Sequence, residues 1–313
     1  MLRVYSTATF SLRMSKSANL AQNSGTNSKP TFRVGGVPEH FNLPWHLALE
    51  SGDFETAEVT VKYSDFPGGT GAMTRALADG EIDVAILLSE GAIADILNGG
   101  ENRIVKVYVQ SPLIWGIHVA AKSQFQTIDE IKNRKYAISR FGSGSHLMAI
   151  VDADERDWET EEMQFVKVGG LEGARKALPN GEADAFLWEL FTTQPYVDNG
   201  EFRRIGERRV PWPAFVVSVR QECLAKNSDS IKKLLEVVDT HSKKLMAATN
   251  AVDIIAERYK LKKEDTQRWF ELTKWQYGFS LPQQKFEKVI RSLEKLDLVK
   301  QRGASVADVS ASL

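Results

Sequence analysis

Residues 76–90 are ALADGEIDVAILLSE, and residues 176–190 are KALPNGEADAFLWEL. Each stretch contains the end of a helical pattern, a Gly-Glu turn, an acidic residue and an apolar run typical of a strand that is covered on both faces. A chance match is the alternative, because turns between helices and strands often contain glycine. We interpret the two stretches, about 100 residues apart, as one structural plan that is used once in each of two lobes.

Strand and helix patterns alternate on both sides of these two stretches. Thr31–Val37 and Val59–Tyr63 are typical of strands, and Leu43–Ser51 is typical of a helix that opens near Pro44 and ends at Gly52. This alternation predicts an α/β fold with mostly parallel sheets, flanking helices and right-handed crossovers. From Ser228 onward the pattern is helical, and we expect the small, polar tail after Lys300 to fray.

Composition excludes several classes of protein. The formal net charge is -1, which gives no concentrated positive field for a nucleic acid. The only cysteine is Cys223, so neither an internal disulfide nor a multi-cysteine zinc site can form, and the thiol is expected to be inert. No apolar run reaches the 18 residues of a membrane span. The length suits two ordinary domains or one large one.

The first 30 residues differ from the rest of the chain. They contain Arg3, Arg13, Lys16 and Lys29, many Ser, Thr, Asn and Gln residues, and no acidic residue. An acid-free, Arg- and Ser-containing start without a long apolar stretch is typical of a mitochondrial transit peptide. The alternative is a disordered tail with no targeting role, in a cytoplasmic protein.

Four loops follow predicted strands and are therefore candidates for a ligand site. In open α/β sheets, ligands bind outside the carboxyl ends of the strands. The candidates in these loops are His40, Phe41 and Asn42; Phe66, Gly68, Gly69 and Thr70; Ser89 and Glu90; and Arg140, Phe141, Ser143, Gly144, Ser145 and His146.

The fourth loop, residues 139–146, carries the most chemical information. Its glycines allow the backbone to approach a ligand closely, and it opens a helix whose first N–H groups are free. Together with the hydroxyls of Ser143 and Ser145 and the Arg140 cation, they predict a site for an anion. The alternative is that the serines only cap the helix. The loop is not a P-loop, because no Gly-Lys-Ser/Thr ending follows.

Aromatic residues near strand ends could supply the apolar part of the site. Trp115, Trp188 with the adjacent Glu189, and Trp212 between two prolines are the candidates, although each could equally belong to the core. His40 and His46 match no standard metal-binding spacing, so we expect no metal. We assign no catalytic residue, and the only candidates for acid–base chemistry are His40, His146 and Glu189.

Four segments resemble the type II periplasmic-binding-protein fold, most closely the substrate-binding proteins for sulfonates, taurine and thiamine precursors. They are residues 32–54, 61–93, 139–149 and 173–189. The second segment is similar to the family's G-x-x-x-x-x-x-L-x-x-G-x-x-D step: Leu77, Gly80 and Asp83 are in its places, and Gly71 is one residue closer to the leucine than the pattern has it. The leader and the absence of a secretory signal resemble intracellular, mainly fungal, members, which are related in fold to the thiamine-pyrimidine synthases.

The resemblance implies a division of the chain and a function. One lobe would comprise residues 31–111 and 218–299, the other residues 112–217, with a leader at 1–30 and a tail at 300–313. The chain would bind a small, anionic solute in the cleft between the lobes, as a carrier or sensor linked to thiamine or sulfonate-type metabolites. It would need no cofactor, and a monomer is favoured. The alternative is an enzyme of the same fold acting on a thiamine pyrimidine precursor, but the synthases' cysteine-rich iron motif is absent.

Overall fold

The structure is a computed structural model that describes residues 29–313; the predicted leader lies almost wholly outside the described residues. The described part of the chain contains ten strands: β1 (Thr31–Gly36), β2 (Thr60–Asp65), β3 (Val84–Leu88), β4 (Asn102–Val109), β5 (Ile114–Ala120), β6 (Lys135–Ile138), β7 (Gln164–Lys167), β8 (Ala185–Glu189), β9 (Phe202–Arg209) and β10 (Phe215–Arg220).

Helices connect most of these strands and form the C-terminal segment. In the described residues they are α1 (Leu43–Ser51), α2 (Asp53–Thr56), α3 (Thr70–Ala78), α4 (Ser89–Leu97), α5 (Gly144–Asp154), α6 (Leu171–Ala177), α7 (Gln194–Asp198), α8 (Gln221–Ala247), α9 (Ala251–Tyr259), α10 (Lys263–Leu272), α11 (Gln283–Lys295) and α12 (Val306–Val309). Within residues 29–313, none of these helices is both long enough and apolar enough to span a bilayer.

The strands form two five-stranded sheets with the same plan. The first has the order β2-β1-β3-β10-β4 and the second has the order β7-β6-β8-β5-β9. The two repeated sequence stretches supply β3 and β8, which are the central strands of their sheets. Both central strands are largely buried, as their apolar runs predict. The interpretation of the repeat as one plan used twice is therefore confirmed.

Both sheets are mixed. In each sheet, three neighbouring strands pair in parallel, and one strand runs antiparallel to both of its neighbours: β10 between β3 and β4 in the first sheet, and β5 between β8 and β9 in the second. The chain passes from one sheet to the other at two crossings, from β4 to β5 and back from β9 to β10. The two antiparallel strands, β5 and β10, directly follow these crossings. The two-lobed α/β architecture with a helical C-terminal segment is confirmed.

The C-terminal tail is ordered, so the prediction that it frays is wrong. Ser305 begins α12 with a capping box, and Val306 and Val309 are buried. The N–H of Ala311 donates to the carbonyl oxygen of Ile104 at 3.0 Å, at the edge of the first sheet. Two valines in an otherwise small and polar tail are too weak a pattern to predict this docking, because the docking depends on the exposed edge of β4.

A buried ion pair fixes the segment that precedes α11. Lys106 on β4 and Asp239 on α8 are 2.9 Å apart, and the lysine side chain is fully buried. The lysine also donates to the carbonyl oxygens of Gln276 and Gly278, at 3.0 and 2.6 Å. A buried charge needs such partners, because an unpaired ion in the interior is costly.

Candidate functional site

A small inner cavity lies between the two sheets. Its volume is about 40 Å³, room for about three water molecules. Both sheets and their loops contribute to its walls, which are Val37, Glu39, Thr70, Leu88, Leu113, Trp115, Ser139, Gly144, Ser145, Trp188, Glu189 and Phe215.

An outer cleft of about 510 Å³ adjoins the inner cavity, with which it shares Val37, Glu39 and Trp188. Its remaining walls are the loop at 67–68, the glycine-rich turn at 168–173, and the residues Pro38 and Thr192. A small molecule could therefore reach the inner cavity through the outer cleft once the walls separate.

The topology explains why these residues meet. Leu88 and Glu189 are the last residues of β3 and β8, and Val37 and Ser139 follow β1 and β6 directly. The carboxyl ends of the parallel strands in both sheets thus face the same space, as expected for an open α/β sheet. Trp115 and Phe215 lie at the starts of β5 and β10, because those strands run in the opposite direction.

The start of α5 forms one wall of the inner cavity. Ser143 is the N-cap, and its hydroxyl accepts a hydrogen bond from the N–H of His146 at 3.4 Å. The N–H groups of Gly144 and Ser145 have no acceptor within residues 29–313. Free N–H groups at the start of an eleven-residue helix favour the negative end of a ligand.

Two glycines allow the walls to touch. A Cβ atom on Gly144 would lie 2.3 Å from Cδ1 of Leu88 on the first sheet. A Cβ atom on Gly71 of α3 would overlap the guanidinium of Arg140, which reaches across from the second sheet. These contacts show that the lobes are closed on each other, and they place Arg140 against Gly71, outside the walls of the inner cavity.

The cleft carries carboxylates. Glu39 and Glu189 line the inner cavity, and Glu172 lines the outer cleft. Among the described residues, no lysine or arginine lines either space. Burial raises the pKa of Glu189 to about 7, and burial together with the charge of Glu189 raises the pKa of Glu39 to about 8.

Aromatic side chains supply the apolar walls. Trp188 is half-buried and stacks on Phe186, with ring centroids 5.2 Å apart. Trp115 is 3 % exposed, and its indole N–H has no hydrogen-bond acceptor within the described part of the chain. A buried indole N–H normally finds a partner, so this donor is available to a ligand.

Ser89, Glu90 and Trp212, three predicted site residues, do not line the inner cavity. They lie where the chain returns to the first sheet, between β9 and β10. The Ser89 hydroxyl donates to the carbonyl oxygen of Pro213 at 2.6 Å. The Trp212 indole N–H donates to the Glu90 carboxylate at 2.9 Å, and both side chains are buried. Burial raises the pKa of Glu90 to about 7. The start of α4 therefore holds the crossing in place.

The first predicted loop is packed into the core. His40 contacts Trp269, with ring centroids 4.1 Å apart, and burial lowers the pKa of the histidine to about 3. Phe41 is buried beside it. The Asn42 side chain donates to the carbonyl oxygen of Val37 at 2.8 Å and so shapes the loop above the cavity.

The remaining predicted residues lie around the cleft. Gly68 lines the outer cleft, while Phe66 and Gly69 flank it without forming a wall of either space. Phe141 is 55 % exposed. The His146 imidazole accepts a hydrogen bond from the N–H of Gly142 at 3.1 Å, and burial lowers the pKa of this histidine to about 4.

The fold agrees with comparisons to known proteins. The model of the Ca3427-like PBP family matches residues 115–208. The Candida albicans CA3427 gene product, which is described as defining a new family with the generic periplasmic-binding-protein fold, has a similar structure. The TM-score is 0.83 at 25% sequence identity, and the match covers 90% of this chain and 96% of that chain. The chain has the type II periplasmic-binding-protein fold.

More distant structures share this fold. The alkanesulfonate-binding protein SsuA from Xanthomonas axonopodis pv. citri, bound to MOPS, has a TM-score of 0.75 at 14% identity, covering 90% of this chain and 98% of that one. PhnD1 from Prochlorococcus marinus, in complex with methylphosphonate, has a TM-score of 0.59 at 12% identity, and the match covers 87% of this chain and 100% of that one. None of the curated proteins matches this sequence.

Several cavity residues of this periplasmic-binding-protein-like chain were not among the sequence candidates. They are Val37, Glu39, Leu88, Leu113 and Phe215, whereas Ser139 lies within the predicted fourth loop. Glu39 directly precedes His40 and follows β1 by three residues. The strand-end rule would have selected it if the first loop had been taken to begin directly after the strand. Within the described residues, no group of three or more His, Cys, Asp or Glu side chains could hold a metal ion.

Proposed function

We propose that this protein reversibly binds a small solute in the cleft between its two sheets, with the negative end of the solute at the start of α5. The observation that carries the proposal is the inner cavity itself. Both sheets contribute to its walls, and two of its lining residues, Gly144 and Ser145, have free N–H groups. A carrier or sensor role, linked to sulfonate-type or thiamine-related metabolites, is the version that agrees with the sequence resemblance.

Binding requires a lobe movement. The inner cavity, at about 40 Å³, is far smaller than the roughly 300–1,000 Å³ of ordinary ligand pockets. The contacts of Gly144 with Leu88 and of Gly71 with Arg140 would have to open for a solute to enter. A ligand that contacts both lobes then favours reclosing around it, as hinge-type closure requires.

Thermal shifts test the proposal directly. The panel contains sulfonates, phosphonates, carboxylates and pyrimidines, and a ligand at 100 times its Kd adds about 2.7 kcal/mol to the free energy of unfolding. Trp188→Ala should remove a shift, whereas Trp158→Ala, a half-buried tryptophan outside both spaces, should keep it. A panel without any shift, or a shift that Trp188→Ala leaves intact, contradicts the proposal. Conversion of a bound compound to product would favour the enzyme alternative.

We also propose that residues 1–30 direct the protein to mitochondria. Fusion of these residues to a fluorescent reporter should bring the reporter into mitochondria. Replacement of Arg3 and Arg13 by Gln should return it to the cytosol, because the positive charge is what such leaders present. A cytosolic signal from the unaltered leader would contradict this proposal.

A further inference from the structure

The inner cavity contains acceptors that an anion alone would not use. The Glu39 carboxylate lines the cavity and makes no hydrogen bond or ion pair within residues 29–313. Glu189 is 4 % exposed, and its Oε2 accepts one hydrogen bond, from the N–H of Thr192 at 2.6 Å. Once they are ionised, two carboxylates in one small space disfavour a purely negative guest, since like charges in a poorly solvated site repel strongly.

The same cavity also has a hydrogen-bond donor on its wall residue Trp115. Trp115 lines the cavity, and its indole N–H is buried and has no acceptor in the described part of the chain. An unsatisfied buried donor costs free energy that a ligand acceptor would recover. This donor, together with the N–H groups that begin α5, can bind a negative end, which leaves the two carboxylates without an assigned role.

We propose that Glu39 and Glu189 bind a positively charged or N–H-donating group of the ligand, so that the solute carries such a group as well as its negative end. The inference rests on the proposed binding function and names the chemical class of its ligand. A protonated amine or amidine on a flat skeleton fits best, because Trp115, Trp188 and Phe215 supply aromatic surfaces in the same cavity.

The charges around the pair are consistent with this role. The Arg204 cation attracts the Glu189 carboxylate, but its guanidinium donates to the side chain of Gln194 and to the carbonyl oxygen of Leu190. Arg204 therefore does not neutralise the pair by direct contact. A bound cation would relieve the repulsion between the two carboxylates and would cause them to release protons near neutral pH.

Two matched probes test the proposal by calorimetry. They are 4-(aminomethyl)benzoate and 4-methylbenzoate, which share ring and carboxylate and differ in the amino group. At pH 8 we expect the amino compound to bind at least tenfold more tightly. Glu39→Gln with Glu189→Gln should abolish this preference. Glu161→Gln, which removes the charge of an exposed glutamate that lines neither space, should preserve it.

A second measurement uses the unaltered protein, in case the paired substitution prevents folding. Binding of the amino compound in buffers with different ionisation enthalpies should reveal proton release, and binding of 4-methylbenzoate should not. Equal affinity for the two probes, or a preference that survives the paired substitution, overturns the donor-group proposal while leaving the binding function intact. If neither probe binds and the wider panel gives no thermal shift, both proposals are overturned.

Discussion

Replacement of Glu90 by Gln should stabilise the protein in a pH-dependent way. The carboxyl is 2 % exposed, its Oε1 has no partner within residues 29–313, and its Oε2 accepts the Trp212 indole N–H. Burial raises the pKa from 4.5 to about 7. Well below pH 4.5 the raised pKa does not change the free energy of unfolding, because the carboxyl is protonated in both the folded and the unfolded state. The destabilisation grows as the pH rises and reaches its full size above pH 7. Glutamine can still accept the indole hydrogen bond and carries no charge to desolvate.

The shift sets the size of the effect. At 1.36 kcal/mol per pKa unit, ionisation of Glu90 costs the native state about 1 kcal/mol at pH 5 and about 3 kcal/mol at pH 8. Glu90→Gln should therefore raise the free energy of unfolding by about 2 kcal/mol more at pH 8 than at pH 5. Urea denaturation at the two pH values measures this difference, with Glu161→Gln as the control. An equal change at both pH values would refute a titrating Glu90 in the native state.

Three further changes have defined outcomes. Gly144→Val should abolish solute binding in a titration, because the new side chain would clash with the opposite lobe. Lys106→Met should lower the free energy of unfolding in urea by about 3–5 kcal/mol, since it leaves Asp239 buried without its partner. Removal of residues 304–313 should lower the free energy of unfolding by about 3 kcal/mol or more, because Val306 and Val309 are buried. An unchanged melting temperature would contradict the docking of the tail.

The sequence predicts the frame of the cleft well. The repeated stretches identify the two central strands, and the strand-end rule selects Thr70, Gly144 and Ser145, all of which line the inner cavity, as do the aromatic candidate Trp188 and its neighbour Glu189. These positions follow from the alternation of strands and helices, which hydrophobic periodicity indicates, and from the tendency of ligands to bind at the carboxyl ends of strands.

The orientations of individual side chains could not be predicted. Arg140 follows β6 as expected, yet its long side chain extends to Gly71 on the other lobe. Glu90 and Trp212 are 122 positions apart and form one hydrogen bond that depends on where the chain returns. Glu39 lies at the cavity because the chain bends at Pro38 and Glu39, directly after β1. Such placements are set by tertiary contacts that no local pattern encodes.

The order of strands in the first sheet has a consequence for biosynthesis. β10 lies between β3 and β4, so this sheet cannot close until residues 215–220 have left the ribosome. The second sheet needs only residues 114–209. The lobe encoded in the middle of the chain can therefore finish folding before the lobe that was begun first. Until then the nascent N-terminal half exposes an unpaired edge on β3, a surface at risk of pairing with other chains.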